Sequence, residues 1–253
     1  MAEIIAVTNQ KGGVGKTTTS LNLGAGLRQR GKRVLFVDMD PQCSLTYIMD
    51  GSSEGRTVQD LLLGKCNTVS SIQKLREGDL IAAAPGLSTL DMVLTGIGRA
   101  FKLRNALHEV RDDYDYIVVD SPPTLGILTV NVLTAANCVI IPALADIFSL
   151  QGVGQLYSTI QTIKEFSNPN LIIRGILLIR HTDRFILHRS MRDMLEETAE
   201  QIGTSVFKTS IREAVTVREA EAQQQSLFAY APKSKQARDY EDFVSEFLSA
   251  KDE

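Results

Sequence analysis

The chain has 253 residues, 43% of them hydrophobic and 23% charged, and carries a formal net charge of −3. That is long enough for one large domain and short for two, and the composition excludes disordered and fibrous classes. A slightly acidic protein does not bind nucleic acid with its whole surface, so any such contact has to come from a local basic patch.

Three cysteines, Cys43, Cys66 and Cys138, lie far apart without a C-x-x-C pair, which argues against a zinc or iron–sulfur site and fits a reducing cytoplasm. His108, His181 and His188 lack metal-ligand spacing. The N-terminus runs into a strand pattern without a basic-then-apolar leader, and no apolar stretch approaches the ~18 residues needed to span a bilayer. The expectation is a cytosolic protein.

The β-branched run Ile4–Val7 is followed by Gly12, Gly13 and Gly15, and Lys16, Thr17, Thr18 and Thr19 open a helical pattern. This reads as strand, loop, helix. Glycines let the backbone N–H groups of Gly12, Gly13, Val14 and Gly15 converge on one point, which the positive end of the helix also faces. A phosphate chain fits there. Lys16 reaches the β- and γ-phosphates, the Thr17 hydroxyl is a Mg²⁺ ligand, and Thr18 belongs to the same cradle.

The helix continues through Leu21, Leu23, Ala25 and Leu27 and ends near Gly31. The run from Arg33 then closes on Asp38, Asp40 and Pro41, as a buried parallel strand does when its C-terminal end opens onto a ligand crevice. Between Cys43 and Gly78 the pattern is weak, with a short helix over Thr57–Leu63. Leu80–Ala84 is a strand closed by Pro85-Gly86. Phe101, Leu103, Leu107 and Val110 mark one helix face, and Tyr116–Asp120 repeats the apolar run ending in aspartate.

Further on, Gly126–Asn137 is helical, Cys138–Ile141 is a strand stopped by Pro142, and Gln151–Phe166 is a helix. Ile172–Ile179 is a strand and Leu187–Ile202 a helix with Leu187, Met191, Met194, Leu195 and Ala199 on one side. Val206-Phe207 is a last short strand, before helices over Arg212–Gln223 and Gln236–Leu248. Strands and helices alternate without a linker or repeat. The fold class is therefore α/β, a single doubly wound domain over residues 1–253 with a mostly parallel sheet flanked by helices. Asn9, Asp38, Asp40 and Asp120 fall at strand ends and meet at one rim, where three aspartates beside a triphosphate call for Mg²⁺.

An ordinary P-loop needs glycine where this chain has Gln10, and a second lysine, Lys11, stands before the glycines. KGGVGKTT resembles the deviant Walker A motif of the ParA/MinD family of P-loop ATPases, and VDMDPQ resembles the family's D-x-D-P-Q element. Ser210–Arg212, Val217–Ala220 and Tyr230–Tyr240 are similar to its tail motifs. The resemblance implies that Lys11 crosses a dimer interface to the partner's nucleotide. It also implies that Asp120 holds Mg²⁺ through water, that Asp40 positions the attacking water and that Asp38 supports metal and geometry. Specificity for ATP rests on the same resemblance, with Pro232 near the adenine, and Asp120–Pro123 corresponds to a switch segment.

By resemblance the activity is a weak ATPase stimulated by a partner, whose ATP-bound homodimer binds DNA without sequence preference. Arg189, Arg192, Arg218 and Lys235 are its candidate contacts, drawn from clusters that also hold Arg184, Arg212, Lys233 and Arg238. Only eight residues precede Asn9, so no helix-turn-helix domain is expected, and a ParB-like centromere-binding partner supplies specificity. That places the protein in the cytoplasm, on the nucleoid, in plasmid or chromosome partition. A MinD-like regulator that binds membrane through a terminal amphipathic helix is the main rival, and EDFVSEFLSAKDE is too acidic for that, so no stable membrane association is expected. An orphan relative carrying a protein cargo is the closer alternative. The cysteines do not suit a nitrogenase-reductase-like relative.

Overall fold

The apolar runs that end in polar residues form the middle of one sheet. The computed structural model describes residues 1–96, 98–182 and 186–249, without the side chains of Ile186 and Leu187. Strands β1 (Glu3–Val7), β2 (Val34–Asp38), β3 (Ile72–Leu75), β4 (Gly78–Ile81), β5 (Tyr116–Asp120), β6 (Cys138–Ala143), β7 (Ile172–Ile179) and β8 (Val206–Ile211) run in the order β3-β4-β2-β5-β1-β6-β7-β8. Only β3 is antiparallel to its neighbour. In register, Asp120 lies opposite both Val7 and Asp38. Three strand ends therefore deliver their polar residues to one edge.

Successive residues of a strand face opposite sides, so a strand apolar throughout feeds two cores. Ile4, Ala6, Leu35, Val37, Ile117 and Val119 pack on one side. Covering them are α3 (Val58–Leu62), α5 (Leu90–Val93), α6 (Lys102–His108), α7 (Ile127–Ala135), α8 (Ile147–Phe166) and α9 (Ile186–Gln201). Ile5, Val7, Phe36, Val118 and Ile140 pack on the other. That side is covered by α1 (Lys16–Gln29), α2 (Ser44–Ile48), α10 (Val215–Ala222), α11 (Leu227–Tyr230) and α12 (Lys235–Ser249). A short α4 (Thr68–Ser71) precedes β3.

Helix α1 is buried from Thr19 to Leu27 because α12 and α11 close over the side that the sheet leaves open. A Cβ on Gly24 would sit 2.2 Å from the Phe36 ring, so glycine is what lets α1 lie against β2. The inner stripe expected in α12 is present, with Tyr240, Phe243, Val244 and Phe247 all buried. His181 is buried and its ring stacks on His188, whereas His108 is exposed on α6.

Several boundaries differ from the sequence reading for identifiable reasons. Pro142 does not stop β6 but lies within it. The pairing of β1 with β6 ends at Ile140, so the missing N–H of Pro142 costs no bond on that side. Helix α8 starts at Ile147, a turn before Gln151, because Asp146 caps it by accepting from the Ser149 N–H at 2.8 Å. Strand β8 extends to Ile211, and α10 begins only at Val215. The elements α2, α4, β3 and α11 are each four or five residues long, too short for a periodic signal. Among the described residues no helix is long and apolar enough to cross a membrane.

Candidate functional site

The loop between β1 and α1 is built on two left-handed glycines, Gly13 at φ 73° and Gly15 at φ 76°. Gly15 is also the N-cap of α1 and has no side chain to satisfy the first N–H groups of a 14-residue helix. Those groups open onto a cleft of ≈ 800 Å³ lined by Gly12, Gly13, Gly15, Lys16, Thr17 and Thr18. The size and the uncapped donors suit a polyanion. Lys16 is 7% exposed, and its Nζ donates to the Lys11 carbonyl at 3.2 Å. Burial lowers its pKa, while Asp120 and Asp40 pull the other way. Val14 is fully buried beneath the loop.

Asp120 faces this lysine from the end of β5. It accepts from Thr17 Oγ1 at 2.7 Å and from Ser20 Oγ at 3.0 Å. Complete burial, then the neighbouring Asp38, raises its pKa to about 8 despite those donors. A buried carboxylate joined to the loop threonine is the donor set that a magnesium ion on a phosphate chain uses, the rest of its shell being water and phosphate oxygen. Among the described residues no group of three His, Cys, Asp or Glu side chains forms a metal cage by itself.

Asp38 is committed differently. Its Oδ1 accepts the Asp40 N–H at 3.0 Å, and its Oδ2 accepts both the N–H and the hydroxyl of Thr46, at 2.8 and 2.7 Å. Burial still raises its pKa to about 6. The Thr46 hydroxyl in turn accepts the Ala83 N–H. Asp38 thus organises the segment from Asp40 to Thr46 and sets the backbone of Asp40. Asp40 lines the cleft, and its Oδ1 accepts the Gln42 N–H.

Lys11 points elsewhere. Its Nζ lies 2.5 Å from Asp146 Oδ2, the N-cap carboxylate of α8, and 5.7 Å from the centre of the Phe148 ring. Its side chain is 27% exposed and is not among the residues lining the cleft. Pro123, in the Asp120-Ser121-Pro122-Pro123 segment, does line it.

A narrow slot of ≈ 60 Å³ adjoins the cleft and shares Gly15, Thr18, Arg180 and Glu221 with it. The rest of its wall includes Ile179, Ala214, Val217 and Arg218. Pro232 is exposed and lines neither space. Sequence reasoning missed Arg180 and Glu221. Arg180 immediately follows β7 in the left-handed region at φ 55°, so the strand-end rule that found Asp38 and Asp120 points to it as well.

The four basic residues expected to touch DNA do not share a face. Arg189 and Arg192 lie on α9 and Arg218 and Lys235 on α10 and α12, which cover opposite sides of the sheet beside its β8 edge. Arg192 pairs with Glu196, and Arg218, lining the slot, is 3.7 Å from Glu213. Arg184, from the first cluster, lies outside the described residues.

A glycine cradle feeding the N-terminus of a buried helix, with a lysine and strand-end carboxylates at the switch point of a parallel sheet, defines a P-loop nucleoside triphosphatase fold. Similarity to known proteins narrows the class. The family described as AAA domain matches residues 2–173. The sporulation initiation inhibitor protein Soj of Bacillus subtilis is 38% identical over 97% of this chain and 98% of its own length. The chromosome partitioning protein ParA of Caulobacter vibrioides is 34% identical over 97% and 94%. Among solved structures, cobyrinic acid a,c-diamide synthase from Mycobacterium smegmatis with bound ADP and magnesium has a TM-score of 0.84 at 33% identity, covering 98% of this chain and 94% of that one. The chain belongs to the ParA/Soj family of partition ATPases.

Proposed function

We propose that this protein is an ATPase whose Mg-ATP form is a homodimer that holds DNA without sequence preference and moves a plasmid or chromosome with a ParB-like partner. The glycine loop and Lys16 bind the triphosphate, and Mg²⁺, held by Thr17 and Asp120, offsets charge on the phosphates when bound. Phosphoryl transfer asks the protein mainly for placement and charge. Asp40, fixed through Asp38 and Thr46, orients the attacking water. The base edges into the mouth of the slot lined by Ile179 and Val217, whose ≈ 60 Å³ admits only part of a purine.

The observation that carries the dimer is the direction of Lys11. Its ammonium sits outside its own phosphate cleft, held by Asp146 on the rim, where a second subunit's cleft can receive it. A cleft lacking that charge hydrolyses ATP slowly, so assembly and a partner's stimulus control turnover. The MinD-like reading is weakened by α12, whose apolar stripe of Tyr240, Phe243, Val244 and Phe247 is spent on the core and cannot enter a bilayer.

Retention on random-sequence DNA with ATP, ADP or no nucleotide tests the proposal. Retention only with ATP, falling steeply with salt, is the expected result. Equal retention in all three states would refute it.

A further inference from the structure

Glu221 projects from α10 to the seam between the phosphate cleft and the slot and lines both. Its Oε1 accepts the hydroxyl of Thr18, the third residue of α1, so the carboxylate is anchored beside the loop while remaining half-buried in the opening. In a nucleoside triphosphate the group between phosphates and base is the sugar. If the phosphates occupy the cleft and the base edges into the mouth of the slot, the sugar crosses this seam.

A carboxylate there is poorly suited to a phosphate oxygen, which it repels, and well suited to hydroxyl donors. The 2′- and 3′-hydroxyls of ribose are the donors that a nucleotide presents at that point, and acidic side chains take the same part in dinucleotide-binding folds. Glu221 has one carboxylate oxygen engaged by Thr18 and a second to offer. Of the other two side chains shared by both spaces, Arg180 has no acceptor for a hydroxyl, and Thr18 is already bound to Glu221 through its hydroxyl.

We propose that Glu221 is the specificity residue for the sugar, accepting hydrogen bonds from the ribose hydroxyls and making the site select ribonucleoside over deoxyribonucleoside triphosphates. The inference rests on the nucleotide reading of the cleft. A site built around a hydroxyl rejects the analogue that lacks it, because the bound nucleotide closes water off from the acceptor and leaves it unpaired.

The test is the affinity of the full chain for ATP, 2′-deoxy-ATP and 3′-deoxy-ATP with Mg²⁺, measured by calorimetry on the wild type, Glu221→Gln and Glu221→Ala. The wild type is expected to bind ATP at least ~10-fold more tightly than one of the deoxy analogues. Glu221→Ala should lose that preference, and Glu221→Gln, which keeps an acceptor oxygen, should retain part of it. Undiminished discrimination in Glu221→Ala would overturn the proposal. So would an equal gain in affinity for all three nucleotides, which would make Glu221 a repulsive charge at the phosphates. Failure of the wild type to bind any of them would refute the nucleotide reading itself.

Discussion

Lys11 Nζ and Asp146 Oδ2 lie 2.5 Å apart, joining the phosphate loop to the N-cap of α8 within one chain. The same carboxylate caps α8 through its other oxygen, so Asp146 does two jobs. A lysine held this way has to leave its partner before it can serve a neighbouring subunit. Both side chains are about one-third exposed or less, and such a pair is worth about 0.2–1 kcal/mol. Asp146→Asn keeps the cap and weakens the pair. Dimerisation with a nonhydrolysable ATP analogue should then occur at up to ~5-fold lower protein concentration, read by sedimentation velocity. Dimerisation needing more protein than the wild type would contradict the competition.

Lys16 and Asp40 divide binding from turnover. Lys16 is buried in the cleft, and removing its charge takes away the only ammonium that lines it among the described residues. Lys16→Ala should abolish ATP binding. Asp40→Ala should bind ATP with near wild-type affinity, hydrolyse it at least ~100-fold more slowly and stay dimeric. Filter binding and phosphate release check both, and equal loss of binding would contradict the division.

The DNA surface needs residues clear of the nucleotide. Arg218 lines the slot, so a defect there would mix two effects. Arg192 and Lys235 lie on opposite sides of the β8 edge and line neither the cleft nor the slot. Arg192→Glu and Lys235→Glu are each expected to reduce DNA retention and flatten its salt dependence by about one unit of slope, with ATP-dependent dimerisation intact. Unchanged retention in both would remove this edge from the interface.

Alkaline pH should unfold the protein early. Burial pushes the Cys138 thiol up to about 12, and burial also raises the Tyr240 phenol. Tyr114 is raised by burial and by its hydrogen bond to Asp79. Unfolded, these groups lose protons near their ordinary values of 9.0 and 10.0, while the folded protein keeps them. The unfolded state therefore binds fewer protons as pH rises above ~9, and stability falls. The urea midpoint should drop between about pH 8 and about pH 10.5, and a constant midpoint would contradict the burial of these groups.

The strands around the site were legible because each is an apolar run with a chemically distinct end. Asp38 and Asp120 could be assigned to one rim before any contact was known, and register places them side by side. What the pattern did not carry was direction. Nothing in the order of residues tells that Lys11 turns to Asp146, 135 positions away, or that Thr46 takes both donors to Asp38. Glu221 reads as one more solvated charge on a helix until α10 folds over Thr18. Pro142 shows a local rule giving way to topology, because a proline ends a strand only where a neighbour needs its N–H.

The most direct measurement is the mass in solution by light scattering, without nucleotide and with a nonhydrolysable ATP analogue and Mg²⁺. The analogue should double the mass of the wild type and leave Lys11→Ala at the mass of one subunit. An unchanged wild-type mass, or a Lys11→Ala variant that doubles equally well, would contradict a lysine shared between subunits.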